Sequence, residues 1–210
     1  ALSAGLPVSC KFRIGWDDDS RNAVDFARRM ARAGASLLAI HARTRRQLYG
    51  GSADWRYIAL VKQAVDVPVI GNGDVFSAAD AGAMLKQTGC DHIMVGRGML
   101  GNPWLFTDIR RALNAETPLP RPAPPVVLAV ALKHLKRHIA RGVYWLARRE
   151  GAAQAEREGE QLAVRAMRAH LGCYTKGLRH AAALRLRLNE ALSYEQVRQL
   201  FDGWLKAEGY

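Results

Sequence analysis

Apolar residues gather in four short runs along the first half of the chain: Val8–Ile14, Leu37–His41, Val67–Ile70 and His92–Val95. Their starts lie about 25 to 30 residues apart, the length of one strand–helix unit. The segments between them repeat their apolar positions at helical spacing. Asn22–Ala33 places Val24, Phe26, Ala27, Met30 and Ala31 near one face, and Trp55–Val65 carries Ile58, Leu60, Val61 and Val65. Ala78–Gln87 is rich in alanine, with Ser77 before it as an N-cap. Gly34 and Gly89 stand where helices should stop. Strand–helix alternation of this kind predicts a parallel sheet with helices outside it. No fixed-period sequence repeat accompanies it.

The pattern breaks at Thr117–Pro125, where Pro118, Pro120, Pro122, Pro124 and Pro125 make a stiff linker. Beyond it the spacing predicts helices over Val126–Leu146, Gln161–Thr175, His180–Leu192 and Tyr194–Ala207. Ser193 with Gln196 three positions on reads as a capping box. Arg148–Glu160, polar and mixed in charge, reads as an exposed turn or helix end. The expected organisation is residues 1–116 as an α/β unit, 117–125 as linker and 126–210 as an all-helical domain.

Composition adds one distinguishing feature. The 210 residues hold 31 Lys and Arg against 19 Asp and Glu, a net charge of +12, which favours a polyanionic partner such as RNA. The excess is uneven: from Gln161 to Asn189 there is no acid, while Arg165, Arg168, Lys176, Arg179, Arg185 and Arg187 all fall there. Cations in such a stretch can also serve structurally, covering apolar surface with their stems. The three cysteines, Cys10, Cys90 and Cys173, are far apart. With no C-x-x-C pair, neither a zinc site nor a disulfide framework is indicated, which fits a reducing cytoplasm. No run of 18 apolar residues suggests a membrane span, and the N-terminus shows no signal-peptide pattern.

Candidate chemistry concentrates at the strand ends. Alternation puts Lys11 and Arg13 on one face of the first strand and Cys10 and Phe12 on the other. A lysine inside an apolar strand calls for an anion. The second strand ends in His41-Ala42-Arg43-Thr44-Arg45-Arg46, a histidine beside arginines that also suits an anionic ligand. Gly71-Asn72-Gly73-Asp74 after the third strand lets backbone approach a ligand. Gly96-Arg97-Gly98 after the fourth offers backbone amides and a guanidinium to a phosphate. In barrels such sites commonly follow the last two strands.

At these residues the chain resembles the tRNA-dihydrouridine synthases, with the bacterial B-type branch most similar. The carriers are Val8–Trp16, the His41–Arg45 run, Tyr49-Gly50-Gly51-Ser52-Ala53-Asp54-Trp55, Asn72-Gly73-Asp74 and Gly96 through Phe106. Arg168–Leu178 in the tail resembles the family's helical RNA-binding domain. The resemblance implies the C-terminal half (strands five to eight) of an FMN-binding (β/α)8 barrel followed by that helical domain. It implies reduction of uridine to 5,6-dihydrouridine in tRNA, with NADPH reducing the flavin. Carried over by position, Lys11 and His41 are expected to contact the flavin. Asn72, Gly73 and Asp74 are expected to line its site, and Gly96 and Arg97 to hold its phosphate. Arg43, Arg45, Arg165, Arg168, Lys176 and Arg179 are expected to meet tRNA.

The family's general acid is a cysteine in a motif like Asn-Met-Gly-Cys-Pro, and this sequence contains no such motif. None of its three cysteines inherits that role, so no catalytic residue is assigned. The expectation is a fragment inactive alone, whose open sheet edges call for the other barrel half or a second copy. Three other readings stand beside it: an FMN barrel of the dihydroorotate or dihydropyrimidine dehydrogenase type, a non-enzymatic RNA-binding module, and a plain structural scaffold. The His-Ala-Arg-Thr-Arg run and basic tail speak against the first, and the polar strand ends against the last.

Overall fold

The computed structural model describes residues 5–117 and 119–210, and of Arg157 the backbone only. Residues 1–4 of the expected α/β unit and Pro118 of the expected linker lie outside the described residues. The chain divides into two compact units, residues 1–99 with 103–119, and residues 100–102 with 120–210.

The first unit has strands β1 (Ser9–Arg13), β2 (Leu37–His41), β3 (Val69–Asn72) and β4 (His92–Met94). They pair in parallel, in chain order. Helices α1 (Ala23–Arg32), α2 (Arg56–Ala64) and α3 (Ala78–Thr88) connect them, and α4 (Leu105–Leu113) follows a 3-10 turn at Arg97–Met99. Leu38, Ile40 and Val69 from the strands meet Ala27, Ile58, Val61, Met84 and Leu105 from the helices in one buried cluster. Cys10 and Phe12 pack against that cluster, with the Phe12 and Phe26 rings 5.0 Å apart. One face of the sheet is therefore the helix-covered core. Alternation turns Lys11, Arg13, His41, Asn72 and Met94 to the other.

Local chemistry explains most element ends. Ser77 Oγ accepts from Asp80 N at 3.1 Å, and Asp80 accepts from Phe76 N at 3.0 Å, so side chains satisfy the first turn of α3 from both directions. Gly89 N–H closes that helix on Leu85 O at 2.9 Å. The third strand starts two residues later than its apolar run and ends two later. Pro68 has no N–H for the ladder and contributes only its carbonyl, to Leu38 N at 3.0 Å. Gly71 and Asn72 instead continue the pairing, opposite Ile40 and His41. Helix α4 buries only Leu105 and Ile109, so its stripe is one turn long.

The second unit contains α5 (Pro124–Glu150), α6 (Ala152–Tyr174), α7 (Ala181–Glu190) and α8 (Tyr194–Ala207). Its core is a helical stripe from each: Leu128, Ala131 and Leu135; Val164, Met167 and Leu171; Leu184 and Leu188; Val197 and Phe201. Two expectations are corrected here. Pro124 and Pro125 belong to the first turn of α5, where a missing N–H costs nothing, and not to the linker. Arg148–Glu160 is helical apart from Gly151, whose φ of +92° makes the reversal between α5 and α6. The expected exposed turn or helix end is met at Glu150 and Gly151, but Ala152–Glu160 is already helix, its alanines and glutamates being good helix formers. Ser193 caps α8, accepting from Gln196 N at 3.2 Å, while Gln196 reaches back one residue further than in a capping box, to Leu192 N at 2.7 Å.

Candidate functional site

Parallel register lines up polar side chains at the C-terminal end of the sheet, on the face away from the helices. Arg13 pairs with His41, His41 with Asn72 and Asn72 with Met94. One step below lie Lys11, Ala39, Ile70 and His92. Lys11 is exposed, while His41 is 8% and Asn72 9% exposed. Asn72 Nδ2 donates to Met94 O at 2.6 Å, which fixes its amide against the neighbouring strand. Arg13 donates to Thr44 O at 2.8 Å and so ties β1 to the loop after β2.

His41 is pushed down to about 4 by burial first, then by the positive charges of Arg13, Lys11 and Arg43, against an opposing pull from Asp74. It is a neutral imidazole at physiological pH. Among the described residues neither the Lys11 ammonium nor a ring nitrogen of His41 has a hydrogen-bond partner. Both are thus free to meet a ligand laid on this face.

The turn after β3 is held differently. Asp74, with φ +53°, receives Arg43 Nη1 and Nη2 at 2.7 Å each, Ala53 N at 2.8 Å and Arg97 Nη2 at 3.1 Å. Burial raises its carboxyl, but the Arg43 hydrogen bonds, the Ala53 N–H and the two guanidinium charges outweigh that and leave it lowered. Arg43 is 1% exposed and spends two further donors on Gly50 O and Gly51 O, at 3.2 and 2.6 Å. The paired carboxylate and these two carbonyls are what make a buried guanidinium tolerable. Gly73, at φ +132°, lies where a Cβ would stand 2.7 Å from Ala53 Cβ, and Trp55 Nε1 donates to its carbonyl at 2.9 Å. Gly98 lets the last turn close onto Val75 and Phe76: a Cβ there would meet the Val75 carbonyl oxygen and stand 3.0 Å from Phe76 Cα. Arg97 lies over the Tyr49 ring at 4.5 Å and the Phe76 ring at 5.5 Å, still partly exposed.

The fold therefore brings Lys11, His41 and Asn72 together on the open face, and joins Asp74 to Arg97 at its rim. Gly96 is exposed beside Arg97. One expectation needs revision: Arg43 offers no cation to RNA, because it is buried and hydrogen-bonded to Asp74, Gly50 and Gly51. Asp74, expected to line the cofactor site, holds two arginines with its carboxylate. Arg45, Arg165, Lys176 and Arg179 are exposed, whereas Arg168 is half-buried and donates to Ala191 O at 3.1 Å. Arg13, Tyr49 and Phe76 were not assigned to the site from the sequence. The i, i+2 relation of Arg13 to Lys11 was the available signal for the first. Tyr49 lies in the Tyr49–Trp55 run that carries the family resemblance, and Phe76, from a separate loop, carried no signal.

Comparison with known proteins bears on this arrangement. The family model described as dihydrouridine synthase (Dus) matches residues 2–206. The chain belongs to the dihydrouridine synthase family. It is 39% identical over 198 residues to a probable tRNA-dihydrouridine synthase of Mycobacterium tuberculosis, covering 94% of this chain and 47% of that protein. It is 41% identical over 197 residues to probable tRNA-dihydrouridine synthase 1 of Synechocystis, covering 94% and 51%. It is 36% identical over 201 residues to tRNA-dihydrouridine synthase B of Pseudomonas aeruginosa, covering 93% and 55%. The chain spans about half the length of the curated relatives it matches. No described helix is long and apolar enough to cross a membrane.

Proposed function

We propose that this chain takes part in the FMN-dependent, NADPH-driven reduction of uridine to 5,6-dihydrouridine in tRNA, supplying part of the cofactor site and the RNA-binding surface. The observation that carries the reading is the open face on which Lys11 and His41 present unpartnered polar groups beside Asn72. A flavin mononucleotide suits that face: it offers carbonyls to an ammonium and an imidazole, and a phosphate to a guanidinium. When bound, the flavin would supply hydride-transfer chemistry.

The chain's own residues bind and orient. Lys11 and neutral His41 donate toward the ring or the ribityl-phosphate region, and Asn72 and Gly73 form the adjacent wall. Gly96 and Arg97 hold the phosphate, Arg97 being aimed by Asp74 and by its two aromatic supports. The sequential parallel strands support reading the sheet as strands five to eight of a (β/α)8 barrel, with this polar face turned inward. Arg45, Arg165, Lys176 and Arg179 are the cations offered to tRNA, in a cytoplasmic setting.

None of the cysteines is placed to protonate uracil. Cys10 lies on the helix-covered face, Cys90 is 5% exposed within the core cluster, and Cys173 is in the helical unit. We therefore expect the chain to form no dihydrouridine by itself and to need the other barrel half or a second copy. The test is to purify the chain, measure retained FMN by absorbance, and assay dihydrouridine in tRNA with NADPH. Weak FMN retention, reduced further by Lys11→Ala or His41→Ala, is expected. Stoichiometric flavin with turnover would overturn the inactivity, and tRNA binding with no affinity for flavin would favour a non-enzymatic RNA-binding module.

A further inference from the structure

Helix α5 has 27 residues and one acid, Glu150, at its last position. Its cations are Lys133, Lys136, Arg137, Arg141, Arg148 and Arg149. Lys133, Arg137, Arg141, Tyr144 and Arg148 recur at spacings of four, four, three and four, which puts them on one face of the helix. All five are exposed. At 1.5 Å per residue the row is about 22 Å long.

The opposite face of the helix, with Leu128, Ala131 and Leu135, is buried in the bundle. Among the described residues Lys133, Lys136, Arg137 and Arg141 make no ion pair, and Arg149 reaches only the neighbouring Glu150, at 3.9 Å. The adjoining helix α6 brings Glu156, Glu158 and Glu160. The first two are exposed, and Glu160 accepts from Tyr194 N at 2.7 Å.

Two large aromatics stand at the C-terminal end of the row. Tyr144 is 53% and Trp145 52% exposed, with ring centroids 5.5 Å apart in an edge-to-face arrangement. Arg148 Nη1 donates to the Tyr144 hydroxyl at 2.9 Å, and its guanidinium lies 5.7 Å from that ring. A half-exposed aromatic pair among unpaired cations matches a single-stranded nucleic acid: phosphates for the guanidinium groups and a base face for the rings. A membrane surface fits less well, because the aliphatic stripe of this helix is already used in the bundle and its exposed face is cationic.

We propose that this face of α5 binds RNA, with Lys133, Arg137 and Arg141 on successive phosphates and an unpaired base stacked on one ring of the Tyr144–Trp145 pair and edged by the other. The class of partner rests on the tRNA reading above; the face and the stacked base are additional to it. The test uses the full chain and fluorescently labelled, unmodified tRNA, titrated at several salt concentrations, beside a blunt RNA duplex. The double variant Arg137→Gln/Arg141→Gln is expected to weaken both RNAs and to reduce the salt slope by about 1.4 to 1.8, the release expected for two phosphates.

Tyr144→Ala/Trp145→Ala is expected to weaken tRNA about tenfold, with the salt slope and duplex affinity unchanged. Tyr144→Phe/Trp145→Phe keeps the stacking faces and should bind like the parent, which separates a lost contact from a lost fold. Parent-like affinity and slope in both disruptive variants, with the parent binding tRNA, would overturn this proposal and leave the proposed reaction standing. A parent chain that binds phosphatidylserine vesicles but no tRNA would overturn the proposal and the tRNA reading together. Since no flavin is needed, failure to form dihydrouridine would not bear on the result.

Discussion

The two units of this chain treat positive charge in opposite ways. In the α/β unit three arginines near the strand ends are committed. Arg43 is buried against Asp74 and two carbonyls, Arg13 is tied to Thr44, and Arg97 is shared between a carboxylate and two rings. In the helical unit α5 presents a row of cations with no ion-pair partner among the described residues, while α8 pairs Arg198 with Glu195 and Asp202 at 2.6 Å each. Cationic residue type therefore says little by itself. Whether a carboxylate or carbonyl meets the guanidinium separates an arginine that holds a loop from one available to a partner.

The sharpest challenge to that contrast is Arg43→Ala. Removing the guanidinium leaves the Asp74 carboxylate and two loop carbonyls short of partners, and about 3 kcal/mol of stability should be lost in chemical denaturation. A loss below about 1 kcal/mol would mean the pair is not structural. Gly98→Ala should cost about 2 kcal/mol, because the new methyl meets backbone at Val75 and Phe76, which cannot swing aside as a side-chain tip could.

The pH response follows from His41. Its value of about 4 in the fold lies below the 6.5 of an unconstrained histidine. Above 6.5 both states are neutral and stability is unaffected. As pH falls from 6.5 toward 4 the unfolded chain takes up a proton that the folded chain refuses, so stability drops, by at most about 1.4 kcal/mol per pH unit. His41→Gln should flatten that part of the profile. His134, in the helical unit, is also lowered, by burial and then by His170 and His138, and adds a slope of the same sign that this variant leaves intact.

Ser193→Ala should cost the helical unit about 1 kcal/mol, read as a lower denaturation midpoint, by removing the cap on Gln196 N. The smallest effect is expected on the α5 row: Arg141→Gln should change stability by less than about 0.5 kcal/mol. A larger loss there would mean that the row serves the fold.

Strands β1, β2 and β4, the caps at Ser77 and Ser193 and the proline break were legible because each depends on neighbours in sequence: alternation, a hydroxyl three residues before an amide, a ring without an N–H. The open face was legible in part, since alternation from Lys11 and the end of the second strand at His41 follow from period two. Other features were not. Arg43 and Arg45 look equivalent in the run His41–Arg46, and only the loop folding back from Gly50 and Gly51 onto Asp74, 31 residues away, buries the first and leaves the second exposed. The α5–α6 hairpin was hidden because a polar, exposed helix tip has the composition of a turn.

The amino-acid sequence by itself determined the alternation of strands and helices, the chemistry available at the strand ends and the family to which the chain belongs, because all three reside in residue order and local spacing. Tertiary structure decided that Arg43 and Arg97 are spent while Arg45 is exposed. Their pairing depends on Asp74, 31 and 23 residues away, brought within hydrogen-bond distance by strand register and loop closure.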